Sequence, residues 1–225
     1  MILITGAGRG IGKYLFERFH HEGYVVSGTY NLSSAPLCHL AFKVDITRPS
    51  EIQMWLNMVN PHLKELVLVN CAGINYTSFA HKADLEKWAD VINVNLIGTF
   101  NVIHAVLPIM RKEGYGRIIN LSSVVARKPV PGASAYAASK AGLLGMIKSL
   151  SAENASKGIT INNLNLGYFN IGMINEVTDE YQEKLMGEIP AHSFGNPEEI
   201  LRIIMTLIDT PYINGASIDM NGGLH

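Results

Sequence analysis

Short apolar runs along this chain alternate with longer stretches in which apolar positions recur every three or four residues. The runs predict strands over residues 1–5, 24–29, 39–44, 66–70, 116–121, 159–164 and 216–220. The stretches between them predict helices near 11–22, 50–59, 84–112, 134–157 and 197–208, the first with Ile11, Leu15, Phe16 and Phe19 on one face. Runs such as Leu66-Val67-Leu68-Val69 and Arg117-Ile118-Ile119-Asn120-Leu121 are apolar without clean alternation, as expected of parallel strands covered on both faces. Alternating β and α with buried strands implies a single α/β domain over residues 1–225, its sheet doubly wound with helices on both faces. The rhythm breaks from Gly172 to Phe194, where a short amphipathic stretch (Glu176 to Gly187) precedes Pro190. An excursion of that length beside the strand ends is expected to form a substrate-covering lid, and otherwise a plain surface loop.

Ligands of such sheets collect beyond the carboxyl ends of the strands. The residues at those ends are Gly6–Gly12, Tyr30–Asn31, Asp45–Ile46, Asn70–Gly73, Ser122–Ser123 and Gly167–Ile171. The first of these, Thr5-Gly6-Ala7-Gly8-Arg9-Gly10-Ile11-Gly12, joins a strand to a helix. A turn of this kind aims backbone N–H groups and the positive end of a helix at a pyrophosphate, and glycine lets the phosphates approach. A second feature is Tyr136-Ala-Ala-Ser-Lys140, which places a phenol and an ammonium on one helical face. A free tyrosine, with a pKa of about 10, is a poor proton donor at neutral pH, and a fixed cation would bring it toward the working range. Chance produces that spacing often; the glycine turn at the other end of the chain gives it weight.

Composition narrows the field. The chain is 48% hydrophobic with a formal net charge of −1, which suits a globular protein and argues against a nucleic-acid binder. No apolar run approaches the roughly 20 residues of a membrane helix, and the first strand leaves no room for a targeting peptide. Cys38 and Cys71 lack metal or redox spacing and are expected to be reduced and inert. The eight histidines form no ligand pattern, so no metal site is expected and the cytoplasm is the default compartment.

Nearly end to end, from Ile2 to Gly223, the chain resembles the single-domain branch of the short-chain dehydrogenase/reductase family. The resemblance rests on Thr5-Gly-x-x-x-Gly10-x-Gly12, Asn70-Cys71-Ala72-Gly73, Asn95, Ser123, Tyr136 and Lys140. Within the family it is most similar to 3-oxoacyl-acyl-carrier-protein reductases, through Ser123-Val124-Val125, Tyr136-Ala-Ala-Ser-Lys-Ala-Gly142 and the ending Asp219-x-Asn221-Gly222-Gly223. The resemblance implies a Rossmann-type, seven-stranded parallel sheet. It makes Tyr136 the general acid of ketone reduction, and Lys140 the group that lowers its pKa and holds the nicotinamide ribose. Ser123 would bond the substrate oxygen, with Ser122 as the competing choice, and Asn95 would hold a water that relays protons to Lys140. Cofactor contacts would come from Gly6, Gly8, Arg9, Gly10, Ile11, Gly12, Asn31, Ser33, Asp45, Ile46, Asn70, Ala72, Gly73, Tyr136, Lys140, Gly167 and Phe169.

NAD-specific members carry an acid at the end of the second strand. Here that strand ends Thr29-Tyr30-Asn31, without a carboxylate, while Arg9, Asn31 and Ser33 can receive a 2′-phosphate. NADP(H) is therefore expected over NAD(H). The chain departs from the family after the sixth strand, where Leu166 replaces a proline and Ile171 a threonine, removing a side-chain hydrogen bond to the carboxamide worth about 1 kcal/mol. The expected activity is NADPH-dependent reduction of a 3-oxoacyl thioester or similar ketone, in a homotetramer or homodimer paired through helices near 91–112 and 137–157. The small-residue face Ala137, Ala141, Gly145 and Ser149 would either serve that pairing or pack inside the subunit. The alternatives are a dehydrogenase of a sugar, polyol or other small secondary alcohol, and a non-catalytic dinucleotide-binding module.

Overall fold

The strands pair into one parallel sheet of seven in the order β3-β2-β1-β4-β5-β6-β7. They are β1 (Ile2–Thr5), β2 (Val26–Tyr30), β3 (Ala41–Lys43), β4 (Val67–Asn70), β5 (Gly116–Ser123), β6 (Ile159–Leu166) and β7 (Ser217–Met220). The structure, a computed structural model, describes residues 1–33, 40–60, 63–172, 174 and 177–224. Cys38, the first residue of the expected third strand and Glu176 lie outside them. The strand order reverses between β1 and β4, and a crevice opens there at the carboxyl ends.

The described residues form seven α-helices: α1 (Gly10–His21), α2 (Pro49–Val59), α3 (Leu85–Ile92), α4 (Thr99–Glu113), α5 (Ser134–Asn154), α6 (Asp179–Glu188) and α7 (Pro197–Asp209). On one face Leu15, Phe16 and Phe19 of α1 and Ile200, Ile204 and Leu207 of α7 pack on Ile2, Ile4, Val69 and Ile119. On the other, α2, α4 and α5 bring Trp55, Ile103, Val106, Met110 and Ile147 against Leu3, Leu68 and Ile118. Alternate strand residues thus feed opposite cores, which is why the runs read as continuously apolar. The small-residue face of α5 does not pack inward: Ala141, Gly145 and Ser149 are exposed, and a Cβ at Gly145 would meet open space.

Two features depart from the pattern of apolar positions. The continuous helix expected over 84–112 is interrupted, because Asn93–Gly98 form a π turn between α3 and α4. Asn95 is buried at that turn and bonded to Ile74, and Gly98 lies so close to Ile46 that a Cβ would stand 2.8 Å from its side chain. These tertiary contacts override local helical spacing, and π turns of this kind occur often at functional sites. By length and composition alone the stretch Leu85–Glu113 could cross a membrane. In the fold, however, its Val91, Val102, Ile103, Val106 and Met110 are buried, and it is a packing helix of the core.

The second departure is a polar row across the buried sheet. Thr5, Asn70, Asn120 and Asn163 stand in register on neighbouring strands. Thr5 Oγ1 donates to Asn70 Oδ1 at 3.4 Å, Asn70 Nδ2 to Asn120 Oδ1 at 2.9 Å, and Asn120 Nδ2 to Asn163 Oδ1 at 3.0 Å. All four are buried, and each bond in the row satisfies part of the next side chain; the row ends at Asn163, whose Nδ2 has no hydrogen-bond partner among the described residues.

Candidate active site

The crevice begins at the glycine turn. Gly6 takes a φ of +71°, and a Cβ there would stand 2.7 Å from the Ala72 backbone. A Cβ on Gly12 would run into the Gly6 carbonyl, so strand, turn and helix can approach only as glycine. Gly8 and Arg9 form the crest of the turn, and Gly10, Ile11 and Gly12 the first turn of α1. Arg9, the extended and exposed N-cap, supplies no side-chain cap, and no acid lies in that turn. A backbone cradle closed to any Cβ, at an uncapped helix N-terminus, fits an anionic pyrophosphate.

Beyond it, a cleft of about 410 Å³ is lined by Asn31, Asp45, Thr47, Asp90, Asn93, Val94 and Ile97. Asn31 and Ser33 follow β2, Asn31 exposed and Ser33 half-buried, and no carboxylate stands among residues 29–33. Asp45 follows β3, its Oδ1 accepting from Thr47 N at 2.9 Å and Thr47 Oγ1 at 2.7 Å. Ile46 is buried against Gly98. Sequence reasoning missed Asp90, Asn93, Val94 and Ile97. Their spacing of three and four on one helical face was the available signal, but it looks the same on any amphipathic helix.

After β4, Thr5 Oγ1 accepts from both Cys71 N and Ala72 N at 3.2 Å, which fixes the loop that carries Gly73. Gly73 faces Asn95 and Lys140: a Cβ would lie 3.3 Å from Asn95 Oδ1 and 3.9 Å from Lys140 Nζ. Asn95 Oδ1 accepts from Ile74 N at 2.8 Å, and its Nδ2 donates to Ile74 O at 2.9 Å and to Ser139 Oγ at 3.2 Å. Both ends of its amide are thus held, and its backbone carbonyl accepts from Thr99 Oγ1 at 2.8 Å.

Tyr136 and Lys140 lie one turn apart on α5, facing the end of β5. The Tyr136 hydroxyl lies near enough to the Ser123 side chain for that side chain to lower the phenol's pKa. Ser122 turns away into the core and donates to the Lys140 carbonyl at 3.3 Å, so the structure brings Ser123, not its neighbour, to the phenol. Lys140 is buried, its Nζ donating to Leu121 O at 2.7 Å and lying 5.6 Å from the centre of the Tyr136 ring. Burial pushes the phenol up to about 12, opposed by the nearby Ser123 side chain. Burial draws the ammonium down to about 8, while the Cys71 thiol nearby raises it. The lowering of Tyr136 expected from Lys140 is not what this structure displays; desolvation is the larger effect on both groups.

The segment after β6 closes the crevice. Ile171 N donates to Phe169 O at 2.7 Å, and Gly172 comes up against Gly10, where a Cβ would stand 3.4 Å from the Gly10 Cα. Phe169 is buried with its ring against Gly195, and Gly167 at the strand end lies against Asn221, where a Cβ would stand 2.8 Å from the Asn221 Cα. Ile171 packs on the α1 and α7 core, a position where a hydroxyl would have no apolar gain. Further along, Ile189 joins Val124, directly behind Ser123, and Leu224 in a small apolar cluster. Lys128 reaches Glu188 of α6 at 3.5 Å, and Arg127 reaches Asp219 at 2.9 Å.

Residues 1–182 match the family model described as short chain dehydrogenase. Among curated proteins, the chain is 35% identical to the acetoacetyl-CoA reductase of Rhizobium meliloti (strain 1021), over 98% of this chain and 96% of the relative. It is 34% identical to the 3-oxoacyl-[acyl-carrier-protein] reductase FabG of Staphylococcus aureus (strain Mu50), over 99% and 97%. The FabG protein of Vibrio cholerae serotype O1 is 33% identical, over 99% and 96%.

Proposed function

The chain belongs to the short-chain dehydrogenase/reductase family and is an oxidoreductase acting on CH–OH groups, and from that premise we propose that it reduces the ketone of a 3-oxoacyl thioester, or a closely similar carbonyl, using NADPH. The observation that carries this reading is the juxtaposition of the Tyr136 hydroxyl with the Ser123 side chain on one side and the buried Lys140 ammonium, 5.6 Å from its ring centre, on the other. A bound nicotinamide dinucleotide would supply the hydride. It would be held by the amides of the glycine turn, by Asn31, Ser33 and Arg9 at the adenosine 2′-phosphate, and by Asp45, Ile46, Asn70, Ala72, Gly73, Gly167 and Phe169 along the crevice.

The protein's own part is electrostatic and protonic. As the carbonyl carbon becomes tetrahedral, charge grows on its oxygen, and the hydroxyls of Ser123 and Tyr136 are the two donors positioned to meet it. Tyr136, kept protonated by burial, gives up its proton to that oxygen. The phenolate left behind has the Lys140 charge close by, fixed by the Leu121 carbonyl. Asn95 keeps the Ile74 loop seated beside that lysine. The described residues between 177 and 194, with α6 among them, act as the lid that excludes water over the reacting atoms. Exposed faces of α4 and α5 pair copies of the chain into a dimer or tetramer, and the enzyme works in the cytoplasm.

Support for a 3-oxoacyl substrate comes from the relatives, an acetoacetyl-CoA reductase and 3-oxoacyl-[acyl-carrier-protein] reductases; support for NADPH comes from the absence of a carboxylate among residues 29–33. The test is NADPH and NADH oxidation against a panel of 3-oxoacyl thioesters and simple ketones, with sugars and polyols assayed in the oxidative direction. Turnover concentrated on the thioesters with NADPH is expected. Preference for sugars or polyols, or equal use of NADH, contradicts the reading.

A further inference from the structure

Between Tyr136 and Lys140 lies a hydroxyl that the proposed reaction leaves unused. Ser139 is 0% exposed. Its Oγ donates to the Tyr136 carbonyl at 2.7 Å and accepts from Asn95 Nδ2 at 3.2 Å. A helical serine bonded to the carbonyl three residues earlier is ordinary and needs no further purpose. The second bond is different, because it joins the π turn between α3 and α4 to the catalytic face of α5.

The proton directions in this chain are determined. Asn95 Oδ1 accepts from the Ile74 N–H, so the other end of the amide must be the NH₂ group, and its two protons go to Ile74 O and Ser139 Oγ. Ser139, accepting there, has its own proton free for the Tyr136 carbonyl. Each member is thus satisfied only by the next, from the loop after β4 to the backbone of the tyrosine. In a dry interior a fully satisfied chain of this kind is stiff.

We propose that Ser139 is a positioning residue for the reduction. Through it, the Asn95 clamp on Ile74 sets where the Tyr136 backbone stands, and so how its phenol meets Ser123 and the substrate oxygen. The proposal rests on Tyr136 being the proton donor. Small displacements at such a group are costly, since misplacement by about 1 Å can lower a rate about 100-fold.

Ser139→Ala and Ser139→Thr in the full chain test it. Alanine removes the hydroxyl at a helical position that tolerates it; threonine keeps an oxygen able to back-bond. Four quantities are compared with wild type: kcat for the 3-oxoacyl thioester, KM for NADPH, the thermal midpoint, and hydrogen–deuterium exchange of the peptide spanning residues 70–77. For Ser139→Ala, kcat is expected to fall about tenfold, with KM for NADPH within about twofold and faster exchange at the Ile74 amide. Ser139→Thr is expected to recover most of both losses.

An active wild type with unchanged kcat and exchange in Ser139→Ala overturns this proposal alone. So does a loss of kcat matched by an equal loss of NADPH affinity, or one that threonine does not recover, because either result marks ordinary helix packing. A wild type that reduces no carbonyl overturns the role of Tyr136, and this proposal with it.

Discussion

Burial moves Tyr136 and Lys140 in opposite directions, the phenol up to about 12 and the ammonium down to about 8. The phenol is therefore held in the acid form that reduction needs, and Lys140 is the member of the pair that titrates in a working range. Below about pH 8 its ammonium is charged and supports the phenolate that proton transfer leaves; above that it is neutral and the support is lost. For reduction, kcat/KM, which reports the free enzyme, should fall by about tenfold per pH unit above about 8. A profile flat to about pH 10 would remove Lys140 from the mechanism. The oxidative direction begins from the phenolate and should gain with rising pH instead. At the far end of the crevice, Asn31→Asp places a carboxylate where the 2′-phosphate is proposed to sit. The ratio of kcat/KM for NADPH over NADH should drop by about tenfold or more, as Coulomb repulsion at partly screened contact distance amounts to a few kcal/mol. An unchanged ratio would move the phosphate site away from β2.

Most of these groups were legible because their chemistry is local in the chain. The glycine turn declares itself by the backbone conformations it needs, and Tyr136 and Lys140 by one turn of helix. Ser123 and Ser122 were not separable from spacing alone, since adjacent strand residues point to opposite sides and only the packing of α5 decides which meets the phenol. The cleft residues Asp90, Asn93, Val94 and Ile97 and the Ser139 link escaped because their meaning lies in partners far along the chain.

At the scale of elements, each strand and helix predicted from periodicity has a counterpart in the fold, and the shortfalls have physical causes. The stretch over 84–112 carries unbroken helical spacing, yet turns π at Asn93–Gly98 where Asn95 reaches Ile74 and Gly98 presses on Ile46. Asparagines in β4, β5 and β6 interrupt apolar runs without any sign that they align, because register exists only once the sheet has formed. That row should hold the strands that carry the crevice. Asn120→Ala removes two buried hydrogen bonds and leaves Asn70 Nδ2 and Asn163 Oδ1 without these partners. Unfolding by urea should show a loss of about 2–4 kcal/mol with an unchanged m-value. A change below about 0.5 kcal/mol, the level of a neutral surface substitution, would make the row incidental.

At the scale of the molecule, one sheet and its strand-order reversal bring the glycine turn and the Ser123, Tyr136 and Lys140 side chains to the carboxyl ends of the strands. The outward face of α5 bears on assembly. Gly145 is exposed with open space where a Cβ would stand. In a lone chain Gly145→Leu should therefore be harmless, or stabilising by up to about 1 kcal/mol through helix propensity. If α5 packs closely on a second copy, the same change should block it. Light scattering should then show a dimer or tetramer for wild type and a smaller species for the variant; an oligomer unaffected by Gly145→Leu would place the interface elsewhere.

The central claim is that Tyr136 donates the proton in a hydride-transfer reduction, and Tyr136→Phe tests it most directly. The variant keeps the ring, its burial and its distance from Lys140, and loses only the hydroxyl. NADPH oxidation with a 3-oxoacyl thioester should fall by about 100-fold or more, the scale of general acid catalysis, while NADPH binding measured by fluorescence stays within about twofold of wild type. Turnover that survives in Tyr136→Phe at the wild-type rate would contradict the account.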